Sequence, residues 1–148
     1  MNKKHFILGI LIILVDQLTK ILMINKNITI IPDFLNFTYI KNTGAAFGIG
    51  TPIIVLLVNI IIVIGIILAI IKYKDKIKNY VPYTVLLAGG IGNLIDRIFR
   101  GYVIDFIHID MFDFPVFNIA DICVVVGVII ISYEIIRDEK SNGKISKK

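Results

Sequence analysis

"PIIVLLVNIIIVIGIILAII", Pro52 to Ile71, decides the fold class. Its only strongly polar side chain is Asn59. At a rise of about 1.5 Å per residue, a helix of this length reaches about 30 Å, the thickness of a hydrocarbon core. No soluble surface accommodates such a run, and lipid offers no partner to an open backbone, so the segment is expected to be a membrane-crossing helix. The whole chain agrees. Its mean hydropathy is +0.86 and 57% of its 148 residues are hydrophobic.

Working outward, three further runs qualify as spans. They are residues 5–24, residues 80–98 and residues 118–136. The expected fold is therefore all-α and integral to a membrane, with four transmembrane helices in one domain, 1–148. Lys3 and Lys4 ahead of the first run resemble a signal peptide, but no small-residue cleavage site follows, and Asp16 and Lys20 interrupt the apolar core. Residues 25–51 and 99–117 are left as two connections on one side, with loop 72–79 and a tail, 137–148, on the other. The stretch "ITIIPDFLNFTYI" (Ile28 to Ile40) has the β-branched and aromatic content of short strands, which predicts a small β-containing region. The tail, "RDEKSNGKISKK", reads as solvated and disordered.

Charge sets the sidedness. Lys3 and Lys4, the four lysines of 72–79, and Arg137 with the four lysines after it make eleven of the sixteen basic residues, all on one face. Both termini are thus expected in the cytoplasm and the two long connections outside. The net charge of +5 belongs to this asymmetry and not to a nucleic-acid surface. The one cysteine, Cys123, forms no intrachain disulfide and reads as a small apolar helix residue.

Charges within membrane segments are costly and need a partner or a task. Asp16 and Lys20 lie four apart on one helix face, either as an ion pair or as a clamp aimed at a site. In "AGGIGNLIDRIFRG" (Ala88 to Gly101) the glycines lack the Lys-Ser/Thr ending of a phosphate loop. They suit close helix packing instead. Asn93 shares a face with Arg97 and neighbours Asp96. Asn42, Thr43 and Gly44 suit a turn. "VIDFIHIDMFDFP" holds Asp105, His108, Asp110 and Asp113 in no familiar metal-ligand spacing, so no metal is expected and a polar surface loop is. Asn118 with Asp121 three residues on has the pattern of a helix cap with an acidic third residue, which by itself accounts for both side chains but not for Asp105.

Taken together, "DQLTK" (Asp16 to Lys20), "NTGAAFG" (Asn42 to Gly48), "GGIGNLIDR" (Gly89 to Arg97), "GYVIDF" (Gly101 to Phe106) and "FNIAD" (Phe117 to Asp121) occur in the order that marks a family. Along nearly its whole length the chain resembles the bacterial lipoprotein signal peptidases, signal peptidase II. The resemblance implies a membrane aspartic endopeptidase that cuts a prolipoprotein signal peptide just before a diacylglyceryl-modified cysteine. It also implies catalytic Asp105 and Asp121, support from Asp16, Lys20, Asn42, Gly44, Asn93, Arg97 and Asn118, and no cofactor. His108, Asp110 and Asp113 inherit no role. The implied partners are prolipoprotein signal peptides and membrane lipids, with the enzyme a monomer in the bacterial cell membrane and its site near the outer face. The carboxylate chemistry fits, because two aspartates at close quarters cannot readily both ionise, which supplies an acid and a base together. Two other readings stand beside it. One is a proton-coupled small transporter or channel subunit, in which Asp16 matters more than Asp105. The other is an assembly subunit whose polar residues bind helices to one another.

Overall fold

The computed structural model describes residues 2–44, 51–111 and 114–145, with side chains as far as Asp138. Four helices, α1 (Lys3–Leu22), α2 (Pro52–Lys72), α3 (Val81–Arg100) and α4 (Ile119–Ile145), accompany three strands, β1 (Asn27–Ile31), β2 (Leu35–Asn42) and β3 (Val103–Ile109). The helix starts are legible residue by residue. The Asn2 side chain accepts from the Lys4 and His5 amides and caps α1, while proline occupies the first turn of both α2 and α3. Gly101, at φ 78°, ends α3 in the left-handed conformation that releases the chain into β3.

Three helices are long and apolar enough to cross a membrane: α1, α2 and the Ile119–Asp138 portion of α4. Only 11% of each of their apolar windows is buried inside the protein, so most of that surface faces outward, as lipid-facing helices require. Of the four expected spans, α3 is the one that does not meet this measure of apolarity. α3 is as long as α1, but Asp96, Arg97 and Arg100 lower its apolarity. The same residues explain its place, since α3 packs against α1, α2 and α4 and carries more buried side chains than either α1 or α2. Glycines set its spacing. A Cβ on Gly89 would stand 2.4 Å from the Ala120 carbonyl oxygen, and one on Gly92 would stand 2.7 Å from Asp16 Oδ2.

The reading of the tail is corrected over its described residues. Helix α4 runs past the apolar run at Ile136 to Ile145, because Arg137, Asp138, Glu139 and Lys140 include good helix formers and no proline interrupts them.

The strands form one antiparallel sheet in the order β1-β2-β3. The first two pair as a hairpin whose turn places Asp33 at φ 57°. β3 lies within the connection expected to be a polar loop. Val103, Ile104, Asp105 and Phe106 are all buried, so both faces of the strand are covered and the polar–apolar alternation that flags a strand is blurred. Beyond β3 the chain returns: Phe106 and Ile107 donate to the Phe117 carbonyl at 3.0 and 2.8 Å, and Phe117 donates back to Ile107. That bridge sets the start of α4 beside the middle of β3.

The interior is polar. Among the described residues the buried hydrophobics are Val55, Val63, Ala88, Val103, Ile104, Phe106 and Ala120, matched in number by Asp16, Lys20, Thr84, Asn93, Asp96, Asp105 and Asn118. Buried polar groups on this scale persist only when bonded to one another.

Candidate active site

Asp105 stands on β3, diagonal on the sheet to Asn42, whose register partner is Val103. Asn42 Nδ2 donates to Asp105 Oδ2 at 2.8 Å, and Asn118 Nδ2 donates to Asp105 Oδ1 at 2.6 Å. Asp121 is held in the same way, with Asn93 Nδ2 donating to Oδ1 at 2.7 Å and the Asn118 amide donating to Oδ2 at 3.1 Å. Asn118 Oδ1 accepts from the Asp121 amide at 3.0 Å, which completes a reciprocal cap at the start of α4. Capping and site geometry are therefore not rivals. The Asn118 backbone and Oδ1 serve the helix start, while its Nδ2 reaches across to Asp105. Each aspartate oxygen receives one N–H donor, and one residue ties the two carboxylates together.

Behind this pair lies a charged layer. Lys20 Nζ meets Asp16 Oδ2 at 2.8 Å, Asp96 Oδ2 at 3.1 Å and Asn93 Oδ1 at 2.9 Å, all buried. Asp16 is thus an ion-pair partner and a clamp at once, since its Oδ1 also accepts from the Ala120 amide at 2.9 Å. Arg97 shares the Asn93 face as expected. Its guanidinium reaches the Asn93 carbonyl at 3.4 Å and the Gly44 carbonyl at 3.5 Å, steadying the end of β2. The Gly44 amide donates to Asn42 Oδ1 at 3.0 Å, closing the expected turn. Residues 45–48 of that motif and Asp113 lie outside the described residues. His108 pairs with Asp110 at 2.9 Å on the sheet, part-exposed and among none of the contacts made by the two aspartates.

Three participants escaped the sequence reading. Asp96, noted only as a neighbour of Asn93, bonds Lys20, Arg100, Gln17 Nε2 (3.1 Å) and the Ile104 amide (3.2 Å). Gln17 and Arg100 were not singled out at all. The available signals were the place of Gln17 inside "DQLTK" and the four-residue spacing of Asp96 and Arg100 on α3.

Burial pushes the Asp105 carboxyl up to about 6, and the nearby Asp121 charge adds to the rise; Asn42, Asn118 and Lys20 pull the other way. A carboxyl in that range keeps a proton within reach near neutral pH.

Known proteins resemble this chain along most of its length. Residues 8–137 match the family model described as signal peptidase (SPase) II. The chain is 41% identical over 145 residues to a lipoprotein signal peptidase of Clostridium acetobutylicum, covering 90% of this chain and 94% of that one. It is 40% identical over 146 residues to one of Enterococcus faecalis, covering 93% and 90%. A bacterial membrane enzyme solved by the in meso method at 2.3 Å superposes with a TM-score of 0.79 at 33% identity, covering 93% of this chain and 90% of its own. A second, at 1.9 Å, gives 0.75 at 34% identity, covering 91% and 94%.

Proposed function

This chain belongs to the signal peptidase II family, and we propose that it is an aspartic endopeptidase removing signal peptides from diacylglyceryl-modified prolipoproteins, with Asp105 and Asp121 as its catalytic pair. The observation that carries the reading is the shared cradle: Asn118 donates to both carboxylates, from its side chain to Asp105 and from its backbone to Asp121. One carboxylate takes a proton from water, which attacks the carbonyl carbon of the peptide bond preceding the modified cysteine. The other carboxyl donates its proton to the carbonyl oxygen, and the tetrahedral intermediate collapses as the leaving nitrogen is protonated. The two aspartates titrate as a unit. Asn42, Asn93, Asn118 and Gly44, with Asp16, Lys20 and Arg97 behind them, keep the pair in register.

The chain is read as a single membrane-embedded peptidase domain. It crosses the membrane four times, α3 among the crossings with its charged end in the site, and it has cytoplasmic termini and a site near the outer face. Lipid on the substrate serves the chemistry by fixing the scissile bond at one depth, and buried methylenes add membrane affinity at about 0.8 kcal/mol each. The test is cleavage of a lipidated precursor by purified protein in liposomes, beside the same precursor without its diacylglyceryl group. The lipidated form is expected to be cut and the unlipidated one left intact; equal cleavage would refute the lipid requirement. A proton-coupled transporter has no support in the relatives found.

A further inference from the structure

Asp96 is fully buried, and its two oxygens face different halves of the site. Oδ2 accepts from the Ile104 amide, the residue immediately before Asp105, and from Lys20 Nζ at 3.1 Å. Lys20 also bonds Asn93 Oδ1, and Asn93 holds Asp121. Asp96 therefore sits where the β3 backbone and the Asn93 relay meet. Its other oxygen, Oδ1, is gripped by Arg100 and by Gln17 Nε2, and these two are bonded to each other, Arg100 donating to Gln17 Oε1 at 2.8 Å. Gln17 Nε2 further donates to the Gly92 carbonyl at 3.1 Å and to Asp16 Oδ2 at 3.2 Å, so one amide stitches α1 to α3. Charges balance in this layer, with Asp16 and Asp96 against Lys20 and Arg100.

We propose that Arg100 and Gln17 are positioning residues for the reaction: through Asp96 they fix the backbone that carries Asp105 and keep Lys20 shared between Asp96, Asp16 and Asn93. Without Arg100, Asp96 has Lys20 as its one cationic partner and draws it from Asn93, loosening the bond from Asn93 to Asp121. The layer also gains one net negative charge beside the pair. The charged groups that act on Asp105 are Asp121 from α4, Lys20 from α1 and Arg97 from α3, with Asp16, Asp96 and Arg100 in the layer behind them. From β2 comes the neutral Asn42, since Lys41 lies over the Tyr102 ring, 5.1 Å from its centroid. Removing a cation from this set favours the protonated carboxyl.

The inference rests on the catalytic-pair reading, and its test separates the two. Steady-state cleavage of a lipidated precursor is measured across pH for the native protein and for Asp105→Asn, Arg100→Gln, Arg100→Lys and Gln17→Leu, each normalised to folded protein. Arg100→Gln is expected to lower kcat about tenfold with KM within about twofold, and to move the limb of the profile that reports Asp105 upward by about half a pH unit. Gln17→Leu leaves the charge balance intact, so it lowers kcat about as much without moving the profile. Arg100→Lys restores the charge and the native profile, with kcat recovered to within about threefold. Should Arg100→Gln fail to fold, the latter two variants carry the test. A purely structural role lowers yield or Tm but leaves kcat per folded molecule and the profile native. That result, with Asp105→Asn inactive, overturns the clamp and leaves the catalytic pair standing. An active Asp105→Asn overturns both.

Discussion

In the proposed reaction, Asp105 is a residue for which stability and chemistry pull in opposite directions. Its carboxyl titrates near 6 in the fold, against an ordinary value of 3.8. A raised carboxyl contributes stability that is fully present below the unfolded value and is lost as pH rises through the folded value, so the cost of ionising Asp105 develops between about pH 4 and 6 and persists above. Asp105→Asn removes that cost while preserving shape. It is expected to raise Tm at pH 7.5, by a stability increment of about 1–2 kcal/mol, while losing turnover. At pH 4 the stability gain should vanish, and a gain of equal size at both pH values would contradict the assignment. Asn42 makes a second residue-level prediction. Its side chain bonds the ionised form of Asp105, so Asn42→Ala should push that carboxyl higher still and carry its limb of the pH–rate profile upward. A downward shift would show that Asn42 serves something else. Both aspartates and the asparagines around them were legible in the sequence, because a polar side chain beside an apolar run demands an explanation. The role of Asp96 was not legible, because spacing names the neighbours on its own helix and not a lysine arriving from α1.

At the scale of elements, close approach between helices is set by small residues on α3 and α4. A Cβ at Gly127 would meet the Leu86 backbone at 2.9 Å and its Cβ at 2.7 Å, with no flexible side-chain tip to yield. Gly127→Ala and Gly89→Ala are thus expected to destabilise by about 2–3 kcal/mol each, read as a fall in Tm in detergent. Gly65→Ala, in α2 with nothing within 4 Å, should be neutral or slightly stabilising. Equal effects at all three positions would show that the α3–α4 contact is not what the glycines serve. Of the elements, the helices and the β1–β2 hairpin region were readable from apolar length and β-branched content. β3 was not, because a strand buried on both faces loses its period. The helical extension of α4 to Ile145 was missed because a charged sequence is compatible equally with a solvated helix and with a disordered tail.

For the whole molecule, basic residues gather at one end and the polar interior at the other. Lys72 to Lys78 and Arg137 mark the first end; Asp16, Lys20, Asp96, Asp105 and Asn118 mark the second. Membrane orientation follows from that separation: the lysine-rich end is expected in the cytoplasm and the sheet outside. In a Cys123→Ala background, an impermeant thiol reagent added to whole cells should label Asn27→Cys and spare Lys76→Cys, and the reverse pattern would invert the placement of the site. The sequence disclosed the membrane class and the motif order, both of which are one-dimensional signals. It did not disclose that Asn118 bonds both aspartates, because that contact depends on the Ile107–Phe117 bridge, which folds a long connection back on itself. The central claim is that Asp121 is chemically active as well as being part of a helix cap, and Asp121→Asn separates the two roles. Asparagine retains an oxygen to accept the Asn118 amide, so the cap survives while the titrating group is lost. Cleavage of a lipidated precursor by folded Asp121→Asn protein is the direct measurement. Turnover lowered by about three orders of magnitude or more, with Asp105→Asn adding little on top, is the expected result, since members of one catalytic unit are not additive. Near-native turnover would contradict the account and leave Asp121 a helix cap.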